Sequence, residues 1–108
     1  MKNNIMIVNV CNTHTDGYSL KQSVIGDWVV NKDTFINPKY IVGVSNNKIL
    51  GVFENKMGFQ IVDNNDGNDR VRFEKIVRMY EGSMRISQLV KQQLTSTHFT
   101  TKYLTIET

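Results

Sequence analysis

The chain reads as one α+β domain: a small, mainly antiparallel β-sheet of about six strands with two short helices. Three observations predict it. Short β-branched and aromatic runs alternate with stretches of Asn, Asp, Gly and Lys that break regular structure. Two stretches carry a helical rather than an alternating apolar period. The length of 108 residues supports a single domain, residues 1–108, with no room for separate catalytic and regulatory parts.

The elements follow in order. Ile5-Met6-Ile7-Val8-Asn9-Val10 is β-branched and apolar, as a buried strand is. Residues 12–17 are polar and turn-forming. Residues 18–25 predict a short helix with Leu20, Val24 and Ile25 on one side, stopped by Gly26-Asp27. Trp28-Val29-Val30 is extended, Asn31-Lys32-Asp33 turns, and Asn37-Pro38 breaks the next piece. Tyr40-Ile41-Val42-Gly43-Val44 is a strand, and Ser45-Asn46-Asn47-Lys48 a hairpin turn, because Asn tolerates positive φ. Residues 49–54 are the return strand, 55–58 another turn, 59–62 a third strand and 63–69 a polar loop. Residues 70–78 begin with strict alternation: Val71 and Phe73 face one side, Arg70, Arg72 and Glu74 the other. These turns predict a four-stranded antiparallel meander. Ser83 is a fair N-cap for a helix over 84–94, with Ile86, Leu89, Val90 and Leu94 on one face. Residues 102–107 form a last strand, placed to pair with the first and close a barrel-like sheet.

The net charge of +3 is unevenly spread. Residues 70–102 hold seven cations against two carboxylates, and every arginine lies between Arg70 and Arg85. Arginine offers a planar fork that matches phosphate, so the cluster points to an anionic partner. A solvated hairpin and helix face is the plain alternative. One cysteine forms no internal disulfide, which fits a reducing compartment. No apolar run is long enough to span a bilayer, and the N-terminus lacks the pattern of a secretory leader. A cytoplasmic protein is the expectation. The lean to Asn, Lys and Ile is that of AT-rich coding sequences, including many phage genomes.

Catalytic and metal chemistry find little here. With Gly67 at the sixth position of an EF-hand loop, Val62 and Phe73 fall where the first and last ligands belong. Cys11, His14 and Asp16 share one short stretch, whereas a nucleophile and its base are usually brought together from afar. They are also too few for structural zinc. His98-Phe99-Thr100 resembles half of a two-histidine phosphoesterase signature, but His14-Thr15-Asp16 does not repeat it. The expectation is no enzyme activity, no cofactor and no metal.

The aromatic residues Trp28, Tyr40, Phe53, Phe59 and Phe73 all fall in the β-rich middle. Phe53 and Phe73 take inward positions. Trp28 and Phe59 stand at element edges, where a ring beside cations can stack an unpaired base; capping the core is the alternative. The order Tyr18…Gly26-Asp27-Trp28-Val29-Val30, Tyr40-Ile41-Val42-Gly43-Val44, Ile49-Leu50-Gly51-Val52-Phe53, Asp69-Arg70-Val71-Arg72-Phe73 resembles PUA-like (ASCH- and EVE-type) small β-barrel modules of phage and bacterial proteins. It covers about residues 18–75. Glu74-Lys75 stand where that module often has Gly, and the loop before Arg70 is longer. The resemblance implies nucleic-acid association, often with RNA or modified bases, without catalysis, and makes Trp28 and residues 70–73 contact candidates.

The resulting expectation is a small non-catalytic nucleic-acid-binding protein, RNA favoured over DNA. Arg70, Arg72, Arg78, Arg85 and Lys91 would form one patch for phosphates, and Trp28 or Phe59 would stack a base. The alternative is a phage-type protein-interaction factor that inhibits a host toxin or defence nuclease, directly or through bound RNA. A homo-oligomer is open to the chain through an edge strand at residues 5–10 or 103–106.

Overall fold

A computed structural model of the protein describes residues 2–10, 19–63, 67–94 and 101–107. Ten elements follow in chain order: β1 (Lys2–Asn9), α1 (Leu20–Ile25), β2 (Gly26–Val29), β3 (Tyr40–Ser45), β4 (Lys48–Asn55), β5 (Phe59–Asp63), β6 (Asp69–Phe73), β7 (Ile76–Arg78), α2 (Ser83–Gln93) and β8 (Thr101–Glu107). The class is α+β, with mostly antiparallel strands and two helices, as the patterning predicts. Among the described residues the strands form two sheets and no closed barrel: a five-stranded sheet in the order β7-β4-β3-β1-β8 and a three-stranded sheet in the order β2-β6-β5.

The apolar run of β1 is unbroken because the strand is covered on both faces. Met6 and Val8 enter one core with Val24 of α1 and Trp28, Val71 and Phe73 of the small sheet. Ile5 and Ile7 enter the other with Ile86 and Val90 of α2. The large sheet is therefore a central layer, with α1 and the small sheet on one side and α2 on the other. β1 pairs antiparallel with β8 from Lys2↔Glu107 to Val8↔Thr101, as expected, but parallel with β3, which periodicity did not reveal. The parallel pair needs a long crossover, and residues 10–39, which carry α1 and β2, supply it. Interior β1 has no free edge, so among the two proposed self-pairing strands only β8 lies at a sheet edge.

Local chemistry explains the elements. Ser19 caps α1 through a reciprocal pair with Gln22, each side chain accepting from the other's backbone N–H at 3.2 Å. Asn46 and Asn47 take positive φ of 52° and 63°, the twist that closes the β3–β4 hairpin. At Gly43 a Cβ would come within 2.8 Å of Val24 Cγ2, so the bare backbone lets α1 sit against the sheet.

The predicted meander does not form. β3–β4 and β5–β6 are each hairpins, but they belong to different sheets, and the turn at 55–58 joins strands that do not pair. The segment 70–78 also divides: β6 stays in the small sheet, while β7 pairs with β4 in the large one. Glu74 and Lys75 carry the chain between layers. Ser83 is the first residue of α2 rather than its cap; Gly82 takes the cap position, and the Ser83 hydroxyl donates to Tyr80 O at 2.9 Å. Among the described residues no helix is long and apolar enough to cross a membrane. Tyr18, the Cys11–His14–Asp16 group and His98 lie outside the described residues, as do 64–66 of the acidic loop.

Candidate nucleic-acid interface

The alternation in β6 holds: Val71 and Phe73 are fully buried, and Arg72 stands exposed on the outer face of the small sheet, with Arg70 partly exposed beside it. Both turn to Asp27 of β2. Arg72 makes a two-pronged ion pair, Nε donating to Oδ1 at 2.7 Å and Nη2 to Oδ2 at 2.9 Å. The hydrogen bond and the charge of Asp27 raise the Arg72 pKa further above its ordinary value. Arg70 Nη1 donates to the Asp27 carbonyl at 3.2 Å. A carboxylate of this chain thus fills the fork that was expected to meet phosphate.

Trp28 is not a surface platform. Only 7% of it is exposed, and its Nε1–H donates to Val24 O at 2.9 Å. The cause is local. Gly26 has a φ of 77°, and the β2–β6 register slips between Gly26 and Trp28. That slip lays the indole over Gly26, where any Cβ would collide with it. Phe59 is half-buried, packed edge-to-face on Phe35 with ring centroids 4.8 Å apart. Trp28 thus offers no open face for base stacking, and Phe59 already packs against Phe35.

Among the described residues the most exposed ring is Tyr80, just past β7 and 78% exposed. The Arg78 guanidinium lies 5.6 Å from its centroid, within cation–π range. Arg78 Nη2 donates to Leu50 O at 2.9 Å, which fixes the guanidinium against the β4 backbone. Beside this pair is a shallow hollow of about 190 Å³ lined by Ser83 and Ser87 of α2. Sequence reading passed over Tyr80. The available signal was a tyrosine two residues after an arginine, at a strand end just before Glu81-Gly82, where a side chain has few neighbours.

The cations do not make one patch. Arg70 and Arg72 occupy the outer face of the small sheet, and Arg78 the β7 edge of the large one. Arg85 flanks a second hollow with Leu89 and Leu104, on the side of α2 next to β8. Ser83 and Ser87 mark the opposite flank of the same helix. Lys91 is exposed on α2. The continuous surface expected from Arg70 to Lys91 is thus divided by the central sheet. Among the described residues no group of three or more His, Cys, Asp or Glu is placed to hold a metal. No protein-family model, curated protein or solved structure matches the chain.

Proposed function

We propose that the protein is a small nucleic-acid-binding module, with single-stranded RNA the favoured partner, acting by binding and not by catalysis. The observation that carries this reading is the Arg78–Tyr80 pair: an open aromatic ring with a guanidinium held beside it. A ring of this kind takes an unpaired base, and the neighbouring cation favours the phosphate that follows. Arg70 and Arg72 are a second cationic station, reached by exchanging Asp27 for phosphate. The PUA-like likeness of residues 18–75 belongs to the same proposal, since it implies the same class of partner. So does action in a reducing cytoplasm, which the single cysteine supports.

The test is anisotropy of a labelled single-stranded RNA across a salt series. The observed constant falls with salt by a log–log slope of about −0.7 per phosphate contacted. Arg78→Ala flattens that slope, and Tyr80→Ala weakens binding at every salt concentration. Absence of binding at low salt, or parent-like binding by both variants, overturns the proposal.

A second reading is a protein-interaction factor acting on a host toxin or defence nuclease. It draws on Tyr80 and Met84, which are 78% and 73% exposed between Arg78 and Arg85. Tyr, Met and Arg are the residue types enriched at protein interfaces. A pull-down with and without RNase separates the two: loss of the partner on RNase treatment favours RNA, and retention favours direct protein contact.

A further inference from the structure

Past the end of β2, a cleft of about 670 Å³ opens between the segment after that strand and the Asn4–Thr105 end of the β1–β8 pair. Register sets its floor. Asn4 pairs with Thr105 and Met6 with Tyr103. Residues directly opposite in a sheet share a face, so Tyr103 and Thr105 look toward the small-sheet side, where Met6 is already in the core. The facing wall is the segment after β2, with Phe35 and Ile36, and Val29 at the end of β2 itself.

The lining specifies a ligand chemistry. Among the described residues that line it, no side chain carries a formal charge at neutral pH. The ionisable group among them is the Tyr103 phenol, whose pKa burial raises against a smaller opposing hydrogen bond with Thr101. A charged ligand would lose its hydration there and gain no counter-ion. The apolar side is aromatic: Phe35 lies edge-to-face with Phe59 on one side and with Tyr103, at 6.4 Å, on the other. Val29, Ile36 and Tyr103 each leave two fifths or more of their surface in water around this opening, an unusual gathering that a ligand would cover. The polar end is Asn4. The Thr105 hydroxyl donates to its Oδ1 at 3.0 Å, which orients the amide so that its N–H₂ can donate to a guest.

We infer that this cleft binds an uncharged, ring-bearing small molecule. Its ring lies between Ile36 and Tyr103, and an acceptor atom meets the Asn4 amide. The volume falls within the usual range of small-molecule sites. The inference is independent of RNA binding, because Tyr80 and Arg78 are not part of the lining.

Nile red, a neutral fused-ring dye, is the probe. The full chain should bind it saturably with one equivalent, and bind the anionic dye ANS more weakly. Ile36→Asp and Thr105→Lys should each lower dye affinity at least tenfold. Met57→Asp, at an equally exposed apolar position outside the lining, should leave it unchanged. Ile36, Thr105 and Met57 are all exposed, so each variant should keep the fold, which circular dichroism checks. Dye binding that ignores both cleft variants, falls equally with Met57→Asp, or is matched by ANS overturns the inference. RNA affinity measured on the same variants keeps a failure here distinct from a failure of the Tyr80 site.

Discussion

The small sheet and the β7 edge of the large sheet both combine an aromatic ring with arginine, and they use the pair in opposite ways. In the small sheet the ring is Trp28, turned inward and tied to Val24 O, while Arg72 outside is occupied by Asp27. At the β7 edge the ring is Tyr80, turned outward, with Arg78 alongside. An aromatic ring near arginine thus serves packing in one place and presentation in the other. The deciding factor is whether a layer lies over the ring: β2 is sandwiched against the central sheet, whereas the chain after β7 has left the small sheet behind.

The largest effect that would break this contrast is at Trp28. Trp28→Ala should cost about 3–5 kcal/mol of stability, as expected for a large ring removed from a core; urea unfolding measures it. A loss near zero would return Trp28 to the surface. Tyr80→Ala should show the reverse: stability within about 0.5 kcal/mol of the parent, as at ordinary surface sites. Its RNA affinity should drop by about 1–3 kcal/mol, the worth of one stacked base. Asp27→Asn sharpens the contrast further. It removes the charge that competes with phosphate for Arg72, so RNA binding should tighten by a few-fold, with a steeper salt dependence. Unchanged binding would confine the contact to the β7 edge.

The smallest effect concerns Tyr103. Because burial raises its folded-state pKa above the ordinary 10.0, the folded protein holds this proton at pH values where the unfolded chain has released it. The stability so gained is present below pH 10 and is lost as pH rises through the folded value. An ultraviolet titration of the parent minus Tyr103→Phe should therefore show a phenol ionising above pH 10. A difference curve centred at or below 10 would mean that the ring is solvated.

Much of the fold was legible because it is written locally. Asn46-Asn47 specifies a two-residue turn by backbone conformation alone, and the alternation of Val71 and Phe73 with Arg70 and Arg72 specifies which face is wet. The helix over Ile86 and Val90 was readable for the same reason, whereas the β1–β8 pairing was expected from a barrel closure that does not form. What was not legible depends on distant partners. An apolar run like β1 declares that it is covered on both faces but not which strand covers which edge, so its parallel alignment with β3 was hidden. The turn at 55–58 looks like a hairpin, and only the placement of Ile76 beside Asn55 shows that β4 finds its partner in β7 instead. The site suffered similarly. Charge type and position were clear, yet the arginines' common location was not, since four of the five strands of the sheet that divides them lie outside the cluster. Trp28 and Tyr80 differ in exposure through tertiary packing, which no local pattern reports.

The pairing of Lys2 with Glu107 carries a kinetic consequence. The first and last described strands are neighbours, so β1 keeps one edge unsatisfied until almost the whole chain is available. Its other neighbour, β3, is reached only after a long parallel crossover. Both partners of the central strand are remote in sequence, and remote pairings pay loop-closure entropy before they return any contact. The β3–β4 and β5–β6 hairpins can form early and alone, whereas the layer between the two cores is completed last. Folding should therefore be slow for a domain of this size, with β1 exposed in the interval, and shortening the chain from its far end should strand the most apolar segment of the molecule in water.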